Sequence, residues 1–152
     1  MAIIFMSFGA RRFARRYATA AVALAESMNN PFAVGFAFFG LGWLDSSEGL
    51  LEDAVLHLQK SAAAYREAGD LHSWGAPTIF LSQWVLCPLG DLSFARTLAS
   101  ELVRISQDTG DPQLATWGYS CLGCVALTCE PLDETSATLA KARDLALQIS
   151  AY

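Results

Sequence analysis

The chain has 152 residues, enough for one domain with a sizeable core. Apolar residues make up 53% and charged residues 16%, which excludes a disordered chain. The formal net charge of −5 excludes a general nucleic-acid binder, which needs a basic footprint.

In chain order, the opening "MAIIFMSFGARRFARR" puts apolar residues before arginines. A secretory signal has the reverse order and a small-residue cleavage site. Met1–Phe8 is expected to be the stub of one helix and Ala10–Met28 a second, amphipathic one. "RRFARR" is the single basic cluster and is expected to be a solvated helix face rather than a membrane or nucleic-acid contact. At Asn30-Pro31 an N-cap precedes a proline in the first helical position, where its missing N–H costs nothing. A helix is therefore predicted from about Pro31 to Ser46. It contains "GFAFFGLGW", whose glycines follow no strand and precede no lysine, so close helix packing fits them better than a phosphate loop. The apolar run Pro31–Leu44 is too short to span a bilayer.

After "SSEG" a helix is predicted over about Leu50–Ala68, with Leu51, Ala54, Val55, Leu58 and Ala62 on one stripe. Gly69 suits the position just past its end. Further helices are predicted over about Leu71–Pro88, Leu92–Thr109, Pro112–Thr128 and Leu132–Ile149. The pairs Glu52-Asp53 and Asp133-Glu134 fall in first turns, where negative charge suits the helix dipole better than paired acid–base chemistry suits an open helix start.

The segments repeat. Gly9, Gly49, Gly90 and Glu130 follow one another at 40, 41 and 40 positions. Ala14, Ala54, Ala95 and Thr135 keep those offsets, as do Asn30, Asp70, Asp111 and Ala151, and Ile3, Trp43, Trp84 and Cys124. Four columns in one register mark an internal repeat. The units are a partial one at 1–29 and repeats at 30–69, 70–110 and 111–150, each a pair of helices. No pair buries all its apolar surface alone, whereas stacked pairs do. One extra residue falls within "LHSWGAPTIFLSQ", and with Pro77 it predicts a delayed helix start or a kink there.

Phe38, Leu41-Gly42, Ala54, Leu58 and Ser61, and again Tyr119, Leu122-Gly123, Thr135, Leu139 and Ala142, give this chain a pattern that resembles the tetratricopeptide repeats. The middle unit keeps Ile79, Ala95 and Ala99 but has Ser82-Gln83 where Leu-Gly belongs. A period near 40 is similar to the longer repeats of the maltose-activator type. The resemblance implies an all-α fold: an α-solenoid of antiparallel helix pairs in a right-handed superhelix, with seven or eight helices. It also implies a setting in a larger bacterial signalling protein, beside ATPase, cyclase, kinase or DNA-binding domains. A single repeat domain over 1–152, a piece of a longer array that self-associates through open ends, is the expectation.

The chemistry in the sequence is sparse. Cys121 and Cys124 share a helix face, with Cys87 and Cys129 elsewhere, but no second close pair or histidine completes a zinc set. Small buried residues at helix contacts, reduced in a cytoplasmic setting, are the expectation. His57 and His72 have no partner spacing and are expected at the surface or an interface. No nucleophile–base–orienter set can be assembled, so the chain is expected to be a non-enzyme without cofactor or metal.

All ten Lys and Arg residues fall on second helices of a pair or their ends. The family's first helices line a concave face, so the resemblance implies a groove without fixed positive charge. Its lining maps to Phe36, Phe39, Trp43, Phe80, Trp84 and Trp117. The expected function is partner binding by an apolar helix or segment in that groove, the partner being a protein, a peptide or another domain of the same protein, with neither nucleic acid nor membrane involved. The alternative is a ligand-sensing segment of an ATPase, cyclase or transcription regulator, where the groove takes a small apolar molecule.

Overall fold

The computed structural model describes residues 11–129 and 132–150, with the side chains of 132–134 and 150 left aside. The expectation for Met1–Phe8 and the columns at Glu130 and Ala151 lie outside the described residues.

The described residues form seven helices: α1 (Arg11–Ser27), α2 (Pro31–Ser47), α3 (Leu51–Glu67), α4 (Leu71–Phe80, continuing without a break), α5 (Leu92–Thr109), α6 (Pro112–Cys129) and α7 (Leu132–Ser150). No strand occurs among the described residues, so the all-α expectation holds. The caps act as their chemistry requires. Asn30 Oδ1 accepts from the N–H groups of Phe32 and Ala33 at 3.0 and 3.3 Å. Asp111 Oδ1 accepts from Gln113 and Leu114 at 2.9 and 3.1 Å, and Asp70 Oδ1 from Ser73 at 2.9 Å. The turns after α2 to α5 bend through Gly49, Gly69, Gly90 and Gly110, with φ between 70° and 80°, where a side chain would be strained.

The sequence predicts a delayed start or kink near Pro77. Instead α4 starts on schedule at Leu71 with Pro77 inside it. The extra residue is absorbed further on. After Phe80 the helix widens into a π-helical stretch, Leu81–Leu86, in which the Cys87 N–H reaches the Ser82 carbonyl, before a last α turn at Cys87–Leu89. A π turn accommodates one added residue without breaking the helix. Ser82 lies 40 positions after Gly42 and 41 before Gly123, while Trp84 lies 41 after Trp43 and 40 before Cys124. Gln83 is therefore the inserted residue, and Leu81-Ser82, not Ser82-Gln83 as the sequence alone suggests, is the counterpart of Leu41-Gly42 and Leu122-Gly123.

In that column the helices approach closely. A Cβ on Gly42 would lie 2.7 Å from Leu58 Cγ, and one on Gly123 would clash with Leu139. Ser82 fits because its buried hydroxyl donates to the Ala95 carbonyl at 3.0 Å. Lys60 sits over the Phe38 ring and Lys141 over the Tyr119 ring, at 5.1 and 4.3 Å, two contacts 81 positions apart in both partners. Identical packing at the repeat distance has one cause: the same column residues meet in the same way.

By internal contacts the chain divides into two compact units, Met1–Pro77 and Thr78–Tyr152. In the first, α2 packs on α1 and α3. In the second, α6 packs on α5 and α7, and the π stretch touches both α5 and α6. The first core runs through Ala14, Ala18, Leu41, Leu44, Ala54 and Leu58, the second through Val85, Ala95, Ala99, Leu102, Leu114 and Val125.

Candidate functional site

Of the six aromatic positions singled out by the sequence, the first unit holds Phe36, Phe39 and Trp43 on α2. The second unit holds Phe80, Trp84 and Trp117. Phe36 is 65% exposed and Trp84 59% exposed, while the other four are half-buried. None of the six is fully buried: that role falls to Phe38, Tyr65 and Trp74. Phe39 and Trp43, one turn apart, have ring centroids 6.3 Å apart, and Phe80 and Trp84 stack at 6.2 Å.

Beside the α2 aromatics lies an apolar cavity of about 430 Å³ between α1 and α2. Phe36, Gly40 and Trp43 line it from α2, and Tyr17, Ala21 and Leu24 from α1. Among the described residues its lining carries no charged side chain. The α1 wall was not singled out by the sequence, because attention there falls on the arginines. Its signal was present as Tyr17, Ala21 and Leu24 at helical spacing, flanking the buried Ala14 and Ala18. All ten Lys and Arg residues lie on α1, α3, α5 and α7, as their spacing predicts.

One polar cluster places His57 at a helix interface, as expected, and gives it a partner there. Asp45, fully buried at the end of α2, accepts from Arg15 of α1 at 2.7 Å and lies 2.6 Å from His57 Nδ1 of α3. Arg15 also donates to Glu48 at 2.6 Å, and the His57 ring stacks on Phe38. The hydrogen bonds to Glu48 and Asp45 outweigh burial and hold the Arg15 guanidinium above its ordinary pKa. A carboxylate removed from water needs partners, and this one has them on both neighbouring helices. The network ties α1, α2 and α3 together.

All four cysteines are free thiols. Cys121 is buried, and burial pushes its thiol up to about 12, keeping it protonated. Burial also raises Cys87 and Cys124, and Gln83 Nε2 donates to Cys124 Sγ at 2.9 Å. Among the described residues no group of three or more His, Cys, Asp or Glu side chains is placed to hold a metal ion. None of the described helices is long and apolar enough to cross a membrane. Comparison with protein-family models, curated protein sequences and solved structures found no match.

Proposed function

We propose that the chain is a non-catalytic, tetratricopeptide-like α-solenoid module of a larger cytoplasmic signalling or regulatory protein, and that it binds an apolar helix or segment of a partner on its aromatic first-helix faces. The observation that carries this is the uncharged α1–α2 cavity, with Phe36 65% exposed at its edge. Apolar surface clustered in a concavity is costly to leave in water and marks binding surfaces. Tryptophans at such sites are frequent energetic anchors.

The test is substitution of Trp43 and Trp84 by alanine. Each change is expected to weaken partner binding by about 2 kcal/mol while circular dichroism keeps its helical signal. Variants that unfold instead would make these tryptophans structural, and the site would be wrong.

A second function, sensing of a small apolar or aromatic molecule, is favoured by the size of the cavity. About 430 Å³ lies within the range of roughly 300–1,000 Å³ usual for small-ligand sites. A thermal-shift screen with uncharged aromatic metabolites separates the two. A saturable rise in melting temperature, lost in Trp43→Ala, supports sensing. No shift with any compound supports a macromolecular partner.

A further inference from the structure

We propose that Cys129 is an oxidation site: hydroperoxides convert its thiol to a sulfinate, and Arg96 holds that anion as Arg15 holds Glu48. The site lies apart from the aromatic faces and goes beyond the function proposed above, on which it does not rest.

The two units set an arginine against the same position. Arg15 on α1 and Glu48 just after α2 each recur 81 positions later, as Arg96 on α5 and Cys129 at the end of α6. The first pair is an ion pair, in which Arg15 Nε and Nη2 donate to Glu48 Oε2 at 3.1 and 2.6 Å. In the second pair Arg96 Nη2 donates to Cys129 Sγ at 3.5 Å. Lys60 over Phe38 and Lys141 over Tyr119 keep the same offset, so the match is one of packing as well as of numbering. Asp45, the other acceptor of Arg15, has Ala126 as its counterpart. Of the two carboxylate seats around Arg15, one is thus apolar in the second unit and the other holds a thiol.

Cys129 is exposed, not the buried packing residue that its sequence predicts. Its sulfur donates along its own helix to the Val125 carbonyl at 3.1 Å and accepts from the guanidinium. The other three thiols are less accessible: Cys121 is buried, and Cys87 and Cys124 are half-buried. Burial raises all three, Cys121 to about 12, so they hold their protons, whereas the thiolate is the form that attacks peroxide.

The oxidant is a hydroperoxide, ROOH. Sulfur attacks one peroxide oxygen, an S–O bond forms as the O–O bond breaks, and the departing RO⁻ takes the thiol proton. Sulfenic acid and ROH result. A second hydroperoxide repeats the step and gives the sulfinic acid, which releases its proton to water. Each step oxidises sulfur by two electrons and reduces one peroxide. A thiol sulfur is a weak acceptor, but a sulfinate spreads a negative charge over two oxygens, as a carboxylate does, and charged acceptors bind guanidinium strongly. Oxidation therefore gives α5 and α6 the ion pair that α1 and α2 already have.

The test treats the reduced full chain with hydrogen peroxide, maps the four cysteines by peptide mass spectrometry and follows thermal melting. Equally treated Cys129→Ser is the reference for oxidation elsewhere. Cys129 is expected to gain two oxygen atoms before Cys87, Cys121 or Cys124 gains any. In low salt the oxidised chain should melt about 2 °C above that reference, and high salt should screen the rise away. Arg96→Gln should still oxidise at Cys129 but show no rise. Cys129→Asp, which puts a carboxylate there without peroxide, should reproduce it. Arg96 and Cys129 are both exposed, so each variant should keep the parent's circular dichroism. Oxygen uptake that begins at another cysteine, or a disulfide in place of the sulfinate, overturns the site. No rise on oxidation, a rise that survives Arg96→Gln, or a Cys129→Asp chain that melts like Cys129→Ser overturns the part played by Arg96, and the proposal with it.

Discussion

At the scale of single residues, Asp45 does more than its sequence context suggests. A carboxylate in a Gly- and Phe-rich helix becomes the joint of three helices once Arg15 and His57 are brought to it. Asp45→Ala takes the carboxylate from His57 and leaves Arg15 with Glu48 alone, and is expected to cost about 2–3 kcal/mol, read from urea unfolding. Cys121 makes the opposite kind of prediction. Burial raises its thiol from the ordinary 9 to about 12, so the folded chain keeps a proton that the unfolded chain releases. Its stabilising contribution is complete below pH 9 and is lost as pH rises toward 12. Tyr65, also raised by burial, adds to the alkaline loss, so the difference between the parent and Cys121→Ala isolates the thiol. The parent should lose more stability than Cys121→Ala between about pH 8 and pH 10.5.

At the scale of helices, the repeat sets which glycines matter. Gly42→Ala would drive a methyl into Leu58 and is expected to cost about 1–3 kcal/mol, whereas Gly40→Ala, in open space, should be neutral or slightly stabilising, by up to about 1 kcal/mol. Thermal melts of the two variants side by side check this. Asp70 caps α4 through the Ser73 N–H, which holds its carboxyl below the usual value of 3.8. Asp70→Ala should cost about 1 kcal/mol near neutral pH. Because the carboxylate is the capping form, that difference is present above the ordinary carboxylate pKa and vanishes as pH falls through the lowered folded value. The π stretch carries a further prediction. Removing Gln83 restores the 40-residue spacing, so the deletion variant should fold with unchanged helical signal. It should lose about 1 kcal/mol through the missing Gln83–Cys124 hydrogen bond. An unfolded deletion variant would show that the insertion lies elsewhere.

At the scale of the molecule, two units built from the same columns bury them differently. Packing against neighbours, rather than residue type alone, decides which copy of a column faces water. For that reason the functional prediction rests on Phe36, Leu24 and Trp43 rather than on the repeat pattern as a whole. If the face is a binding surface, loss of binding and loss of stability should separate in the Trp43→Ala variant: a large change in partner affinity, measured by titration, with a melting temperature near the parent's.

The sequence by itself determined the helices, their caps and turns, and the repeat register, because capping, proline placement and helical periodicity are local and act within a few residues. It also located the inserted residue to within one segment, though not the form the insertion takes, since whether a helix kinks or widens depends on what packs beside it. It named the aromatic positions but not their exposure. Phe36 and Phe38 are the same residue type two positions apart, and only the neighbouring helices put one in solvent and the other in the core. The Arg15–Asp45–His57 network was beyond sequence because it joins residues 12 to 30 positions apart that meet only when helices dock. Tertiary packing decided these, since burial and ion pairing are properties of what surrounds a side chain.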